Sequence, residues 1–318
     1  MSTSVSQVIE QARRELARTV VGQREPLDLL LVTLLCGGHA LVEGVPGVAK
    51  TLAVRTLARL LQVRFHRVQC TPDLMPADIV GSSVLNMASG QFVLRQGPVF
   101  TDLLLVDEIN RMPPRTQSAL LEAMEERQVT IDGASHALSP SFTAFATQNP
   151  VEFEGTYPLP EAELDRFLVM IRFTYPDATG REEETILERH HQGFDARDLD
   201  QLPLEPIAPA LIAEARRDVA AVRVESALFD YMAAIARRTR EWPALALGAS
   251  PRATLNLMKV AKALAAIDGR DYLLPDDVKA AAIPVLRHRL VLKAEADLEG
   301  LTREQAIVDV LASVEVPK

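Results

Sequence analysis

Cysteine is nearly missing from this chain of 318 residues: Cys36 and Cys70 are the only two. Two cysteines in apolar or mixed surroundings make neither a disulfide framework nor a zinc-ligand spacing, which removes the disulfide-stapled and zinc-ribbon classes. Aromatic residues are scarce at 5%, so stacking platforms for single-stranded nucleic acid are not indicated. A basic face is lacking as well. The net charge of −9 is spread evenly: residues 1–175 carry 15 basic and 19 acidic side chains, residues 176–318 carry 19 and 24. That balance disfavours a broad duplex-binding surface, although a narrow pore lined by a few basic residues escapes such a count. The apolar stretch Leu29 to Cys36 is too short to span a bilayer, and Met1-Ser-Thr-Ser offers no basic flank, apolar core or cleavage site. A soluble cytoplasmic protein without a membrane span is the expectation. Six histidines, including the pair His190-His191, fall in no metal-ligand pattern and read as structural or solvent-facing.

What is present begins with Gly44-Val-Pro-Gly-Val-Ala-Lys-Thr51, directly after the apolar run Ala40-Leu41-Val42. Gly44, Val45, Pro46, Gly47, Val48 and Ala49 supply a turn whose backbone N–H groups point inward at phosphate oxygens. Lys50 reaches the β and γ phosphates, and the Thr51 hydroxyl is placed to ligate Mg2+. A helix from Leu52 adds its positive N-terminal end. The strict pattern has glycine before the lysine, where this chain has Ala49, so alone the loop also reads as a small turn between strand and helix.

About fifty residues later, Leu103-Leu-Leu-Val-Asp107-Glu108 reads as a buried strand delivering two acids at its carboxyl end, the edge where open α/β sheets hold ligands. Asp107 suits a magnesium shell, and Glu108 suits polarisation of a water aimed at the γ phosphate. A third apolar run, Thr143-Ala-Phe-Ala-Thr147-Gln-Asn149-Pro150, ends in an amide that either holds the attacking water or starts a turn before Pro150.

With 48% hydrophobic content the chain has enough apolar residues for two domains. Ser6 to about Leu35 has helical spacing broken at Val21-Gly22-Gln23. Strands at His39–Val42 and Val63–Val68, helices at Leu52–Leu61 and Thr116–Glu126, and the runs ending at Asp107 and Asn149 then alternate as in a parallel sheet flanked by helices. Ser83 to Val93 reads as a β-hairpin through Ser89-Gly90, and Arg127 to Gly133 reads as another through Asp132-Gly133. After Tyr175 no strand is expected. Residues 1–175 form the α/β core, 176–204 a linker, and 205–318 an all-α lid with helices at Pro209–Val222, Ala227–Glu241, Ser250–Gly269 and Pro275–Leu290.

These motifs, in this order and spacing, resemble an AAA+ P-loop NTPase. The phosphate loop, Leu105-Val-Asp-Glu-Ile-Asn-Arg111, Glu126-Arg-Gln-Val-Thr-Ile-Asp-Gly133, Ala146-Thr-Gln-Asn-Pro150, Glu154-Gly-Thr-Tyr-Pro-Leu-Pro-Glu-Ala-Glu-Leu-Asp-Arg-Phe167 and Ser250-Pro-Arg252-Ala253 resemble the MoxR family more closely. In that family alanine commonly precedes the lysine. The resemblance implies an ATPase with Lys50 and Thr51 in the Walker A loop, Asp107 and Glu108 as the Walker B pair, and Asn149 as sensor 1. It further implies Arg166 as an arginine finger toward a neighbouring subunit, Arg252 at sensor 2 serving its own or a neighbouring subunit, and Val21-Gly22 beside the adenine. Arg166 also reads as a surface ion pair with Glu163 or Asp165, and Arg111 and Arg115 compete for the finger role. The two hairpins match elements that face a central pore in relatives. The expected assembly is a ring, a hexamer, cycling ATP to ADP with the nucleotide between core and lid. Its expected output is chaperone-like assembly or activation of client proteins, among them von Willebrand factor A domain proteins, or metal-cofactor insertion. Two other classes fit the motifs: a nucleic-acid motor, against which the even acidic balance counts, and a module that binds ATP with very slow turnover.

Overall fold

The computed structural model describes residues 4–151, 155–177 and 180–317. Glu154 of the longest motif run and residues 178–179 of the expected Pro176–Gly180 turn lie outside the described residues. The strands in chain order are β1 (Ala40–Glu43), β2 (Phe65–Gln69), β3 (Gly81–Asn86), β4 (Gln91–Gln96), β5 (Leu103–Asp107), β6 (Gln128–Ile131), β7 (Ala134–Ala137), β8 (Thr143–Gln148), β9 (Val169–Arg172), β10 (Leu245–Leu247) and β11 (Val291–Leu292).

Five of them make one sheet, ordered β2-β5-β8-β1-β9 with every pairing parallel. Because the strands are parallel, the carboxyl ends of β1, β5 and β8 open onto one edge. The register sets Leu105 beside Phe145 and Val106 beside Ala146, so Asp107 arrives next to Thr147. All five residues of β5 are buried, as expected for a central strand with helices on both faces. The Lys50–Leu61 helix returns the chain from β1, and the Pro114–Glu126 helix, with proline in its first turn, leads from β5 toward β6.

Both expected hairpins are present. β6 and β7 are joined by Asp132-Gly133, each with positive φ (49° and 81°), as a two-residue type I′ turn requires. β3 and β4 pair Val84 with Val93 and Leu85 with Phe92. Since alternate residues face opposite ways, apolar side chains lie on both faces of this ribbon, and these four, with Met87 at the turn, are exposed.

The region after residue 205 is mainly helical, with Pro209–Ala221, Ser226–Glu241, Pro251–Ile267, Pro275–Leu286 and Arg303–Ser313 as its longer helices. The expectation of no strand beyond residue 175 is corrected: β10 and β11 form a small antiparallel pair. Three and two residues are too few for any periodicity to register. The buried side chains of the N-terminal helices Ser4–Leu16 and Arg24–Leu35 join one apolar cluster that runs from β1 and the Lys50–Leu61 helix into Ala215, Tyr231, Leu257 and Val285. Core and helical region therefore share a continuous interior.

Candidate active site

The phosphate loop follows β1. Lys50 Nζ donates to the carbonyls of Gly44 and Val45, arching back over the turn. Gly44 packs so closely that a Cβ there would stand 2.6 Å from the Phe173 carbonyl oxygen. Ala49 adopts φ 66°, ψ 18°. This left-handed conformation explains why the strict pattern prefers glycine; alanine holds it at a cost of about 1–2 kcal/mol.

Across the edge, Thr51 Oγ1 donates to both Asp107 carboxylate oxygens, at 3.3 and 3.4 Å. Thr147 Oγ1 donates to Asp107 Oδ1 at 3.1 Å and accepts the Glu108 backbone N–H at 2.9 Å. Arg67 Nε lies 2.6 Å from Asp107 Oδ2. Glu108 sits in the left-handed region (φ 60°, ψ 53°), a non-glycine position with backbone strain of order 1–3 kcal/mol that its surroundings must hold. Its Oε2 accepts from Gln69 Nε2 at 2.9 Å and Arg111 Nη1 at 3.2 Å. Cys70 follows Gln69, and burial, with Asp107 and Glu108 nearby, pushes its thiol up to about 12, so it is no nucleophile at neutral pH. Asn149 is buried, and its Oδ1 accepts the Val151 N–H at 3.2 Å, making the turn foreseen as one of its two readings.

Lys50, Thr51, Arg67, Asp107, Glu108 and Asn149 line a cleft of about 1070 Å³. Residues 39–169 match the ATPase family associated with various cellular activities (AAA), and residues 237–310 match the AAA lid domain. The chain is 42% identical to Chaperone MoxR1 of Mycobacterium tuberculosis over 98% of its own length and 82% of that protein. It is 32% identical to Protein MoxR of Methylorubrum extorquens, over 95% and 92% of the two chains. A crystal structure of a candidate ATPase from Cytophaga hutchinsonii superposes with a TM-score of 0.88 at 40% identity, covering 99% of this chain and 96% of that one.

The chain belongs to the MoxR family of AAA+ ATPases. As an AAA+ ATPase it binds nucleotide and hydrolyses ATP.

The MoxR fold places the expected residues unevenly. Val21, Pro46 through Leu52, Asp107, Glu108 and Asn149 line the cleft; Gly22, Gly44, Val45, Arg166 and Arg252 do not. Gly22 (φ 65°) faces Glu182 so closely that a Cβ would stand 2.4 Å from its carboxylate. Arg166 Nε pairs with Glu125 Oε2 at 3.0 Å, and Arg252 Nη2 pairs with the other oxygen of the same carboxylate. The surface pairing weighed for Arg166 therefore falls on Glu125 and not on Glu163 or Asp165; Asp165 is taken by Arg289, Nε to Oδ1 2.7 Å.

Among the described residues, nothing beyond Ala196 lines the cleft. Its outer wall comes from the segment read as a linker: the Glu182–His191 helix contributes Ile186 and Leu187, both exposed, and Phe194 follows. With Val20 and Val21 these supply apolar lining to a cleft whose other lining includes the polar loop and the acidic edge. An apolar pair in an otherwise charged helix was the available signal. Arg67 and Gln69, alternate residues of β2 facing the acids, were legible only from the pairing of β2 with β5.

Proposed function

We propose that the cleft takes ATP with Mg2+, that hydrolysis occurs where copies of the chain meet in a ring, a hexamer, and that the cycle drives chaperone-like work on client proteins. The observation that carries this reading is the Thr51–Asp107–Thr147–Glu108 network at the carboxyl edge of the sheet, beside the phosphate loop. Thr51 and Asp107 offer the hard oxygen donors that Mg2+ takes, and the nearness of Arg67 Nε to Asp107 marks the spot as suited to a cation. Bound there, the ion would neutralise charge on the phosphate oxygens. Lys50 turns from the loop carbonyls to the phosphates. Glu108 and Asn149 orient a water in line with the γ phosphate, and the Glu108 carboxylate accepts its proton. Arg166 and Arg252, paired away from their own chain's cleft, serve the cleft of a neighbour, and such an arginine is worth roughly 10³ to 10⁵ in rate.

The proposed division is a core to about residue 175, a strap to about 204 and a helical region beyond, with the two hairpins toward the ring's pore. The name of the mycobacterial relative supports assembly or activation of partner proteins as the output; von Willebrand factor A domain proteins and enzymes awaiting a metal cofactor are the clients the family resemblance suggests. Glu108→Gln is expected to bind ATP and lose most turnover, and Lys50→Ala to lose binding. Unchanged turnover in Glu108→Gln refutes the assignment. Mixing Arg166→Ala with Glu108→Gln subunits is expected to restore part of the activity, since each supplies what the other lacks at a shared interface.

A further inference from the structure

Two arginines from distant parts of the chain meet on one carboxylate. Arg166 follows the short Glu161–Leu164 helix; Arg252 is the second residue of the Pro251–Ile267 helix in the helical region; Glu125 lies in the last turn of Pro114–Glu126. Each guanidinium takes a different oxygen of Glu125. Behind them a second set of contacts joins the same two elements. Asp165 accepts from Ser250 Oγ at 2.9 Å, and Ser250 caps the Arg252 helix by accepting the Ala253 N–H at 3.1 Å. Arg289, buried, donates from Nε to the Asp165 carboxylate and from its other nitrogens to the carbonyls of Asp165, Phe167 and Leu168. Both arginines are thus anchored near the backbone by Asp165, Ser250 and Arg289, and at their tips by Glu125.

Two free guanidinium groups so close together repel and scatter over many rotamers. One carboxylate between them cancels one of the two charges and holds both tips in a single arrangement, leaving one net positive charge for an incoming anion. We infer that Glu125 is a positioning residue for hydrolysis in the neighbouring cleft: it aligns Arg166 and Arg252 as one cationic unit presented to the neighbour's terminal phosphate, and the rate depends on it although it touches no nucleotide. The inference rests on the proposal that the two arginines act across an interface.

The test compares Glu125→Gln, Glu125→Asp, Arg166→Ala and the double variant Glu125→Gln/Arg166→Ala in the full-length assembled protein, with thermal melting of each as a control for folding. Glu125→Gln keeps the shape and loses the charge. It is expected to lower kcat by about tenfold to hundredfold, the scale of a small misplacement of a catalytic group, with KM for ATP and equilibrium binding of a fluorescent ATP analogue within about twofold of the parent. Glu125→Asp is expected to recover part of kcat, and the double variant to lose clearly less than the two single losses combined, since only Arg252 is left for Glu125 to align. Parental or raised turnover in Glu125→Gln, beside a slow Arg166→Ala, overturns the role of Glu125 and leaves the trans reading standing. Parental turnover in Arg166→Ala overturns the trans reading of Arg166 itself. Additive losses in the double variant also overturn the inference, because the carboxylate then acts by another route.

Discussion

Thr147 is the hinge of the acidic edge, and its replacement by valine isolates what the hydroxyl does. Valine keeps the buried volume on β8 but removes an acceptor and a donor together. The Glu108 N–H loses its acceptor at 2.9 Å, and Asp107 Oδ1 loses a donor at 3.1 Å while keeping Thr51. An unsatisfied buried N–H costs about 1–3 kcal/mol, and a hydrogen bond to a charged group contributes about 1.5–3 kcal/mol. Because Asp107 retains Thr51 and Arg67, most of the second amount is recovered, and Thr147→Val is expected to lower unfolding free energy by about 2–3 kcal/mol in urea titration without nucleotide. The larger effect falls on turnover. The strained Glu108 backbone is held by that N–H, so its carboxylate shifts and kcat drops by at least about tenfold. Thr147→Ser keeps both hydrogen bonds and loses one methyl, about 0.8 kcal/mol, with near-parental kcat. Thr147→Val turnover within twofold of the parent, or equal turnover in the serine and valine variants, refutes the argument.

Two further outcomes follow from the geometry. His39 is buried, accepts the Ala144 N–H at Nδ1 (2.9 Å) and bonds through Nε2 to the Met124 carbonyl (3.1 Å); burial, with Arg127 nearby, lowers its pKa from 6.5 to about 4. The folded state thus binds fewer protons than the unfolded one between those values, so stability is full above pH 6.5 and lost as pH falls toward 4, by about 2 kcal/mol near pH 5. Denaturation at pH about 7.5 and about 5 measures this, and His39→Gln is expected to flatten the dependence. Replacing Ile186 and Leu187 together by serine is expected to weaken binding of a fluorescent ATP analogue by about tenfold while kcat at saturation stays within about twofold, since these side chains add apolar lining to the cleft and no group to the acidic edge.

The phosphate loop and the acidic strand were legible because each is contiguous, and the type I′ hairpin because Asp132-Gly133 is a turn with a steric reason. Placement on the sheet edge followed from alternation of strands and helices. What stayed hidden depends on distance in sequence. Glu125 lies 41 residues from Arg166 and 127 from Arg252, and nothing local marks it as their common partner. The Glu182–His191 helix reads as solvated because three glutamates open it and Arg189, His190 and His191 close it, so its apolar pair gives little sign of a cleft wall. Ala49 shows the converse: an apparent motif defect is a left-handed residue that alanine tolerates.

The apolar interior shared by the sheet, the two N-terminal helices and the helical region has a mechanical consequence. Arg18 donates to the Pro203 carbonyl, and Glu15 accepts the Glu205 N–H at 3.2 Å, so polar stitches cross the same seam. A chain knitted this way is expected to unfold in a single calorimetric transition, not in separate steps for core and helical region. The β3–β4 ribbon, with its exposed apolar side chains, stands apart from that interior, whereas β6 buries Val129 and Ile131. In the proposed ring, force generated in one cleft would leave through Arg166 and Arg252 into the next copy, as a train transmits load at its couplings rather than within its carriages.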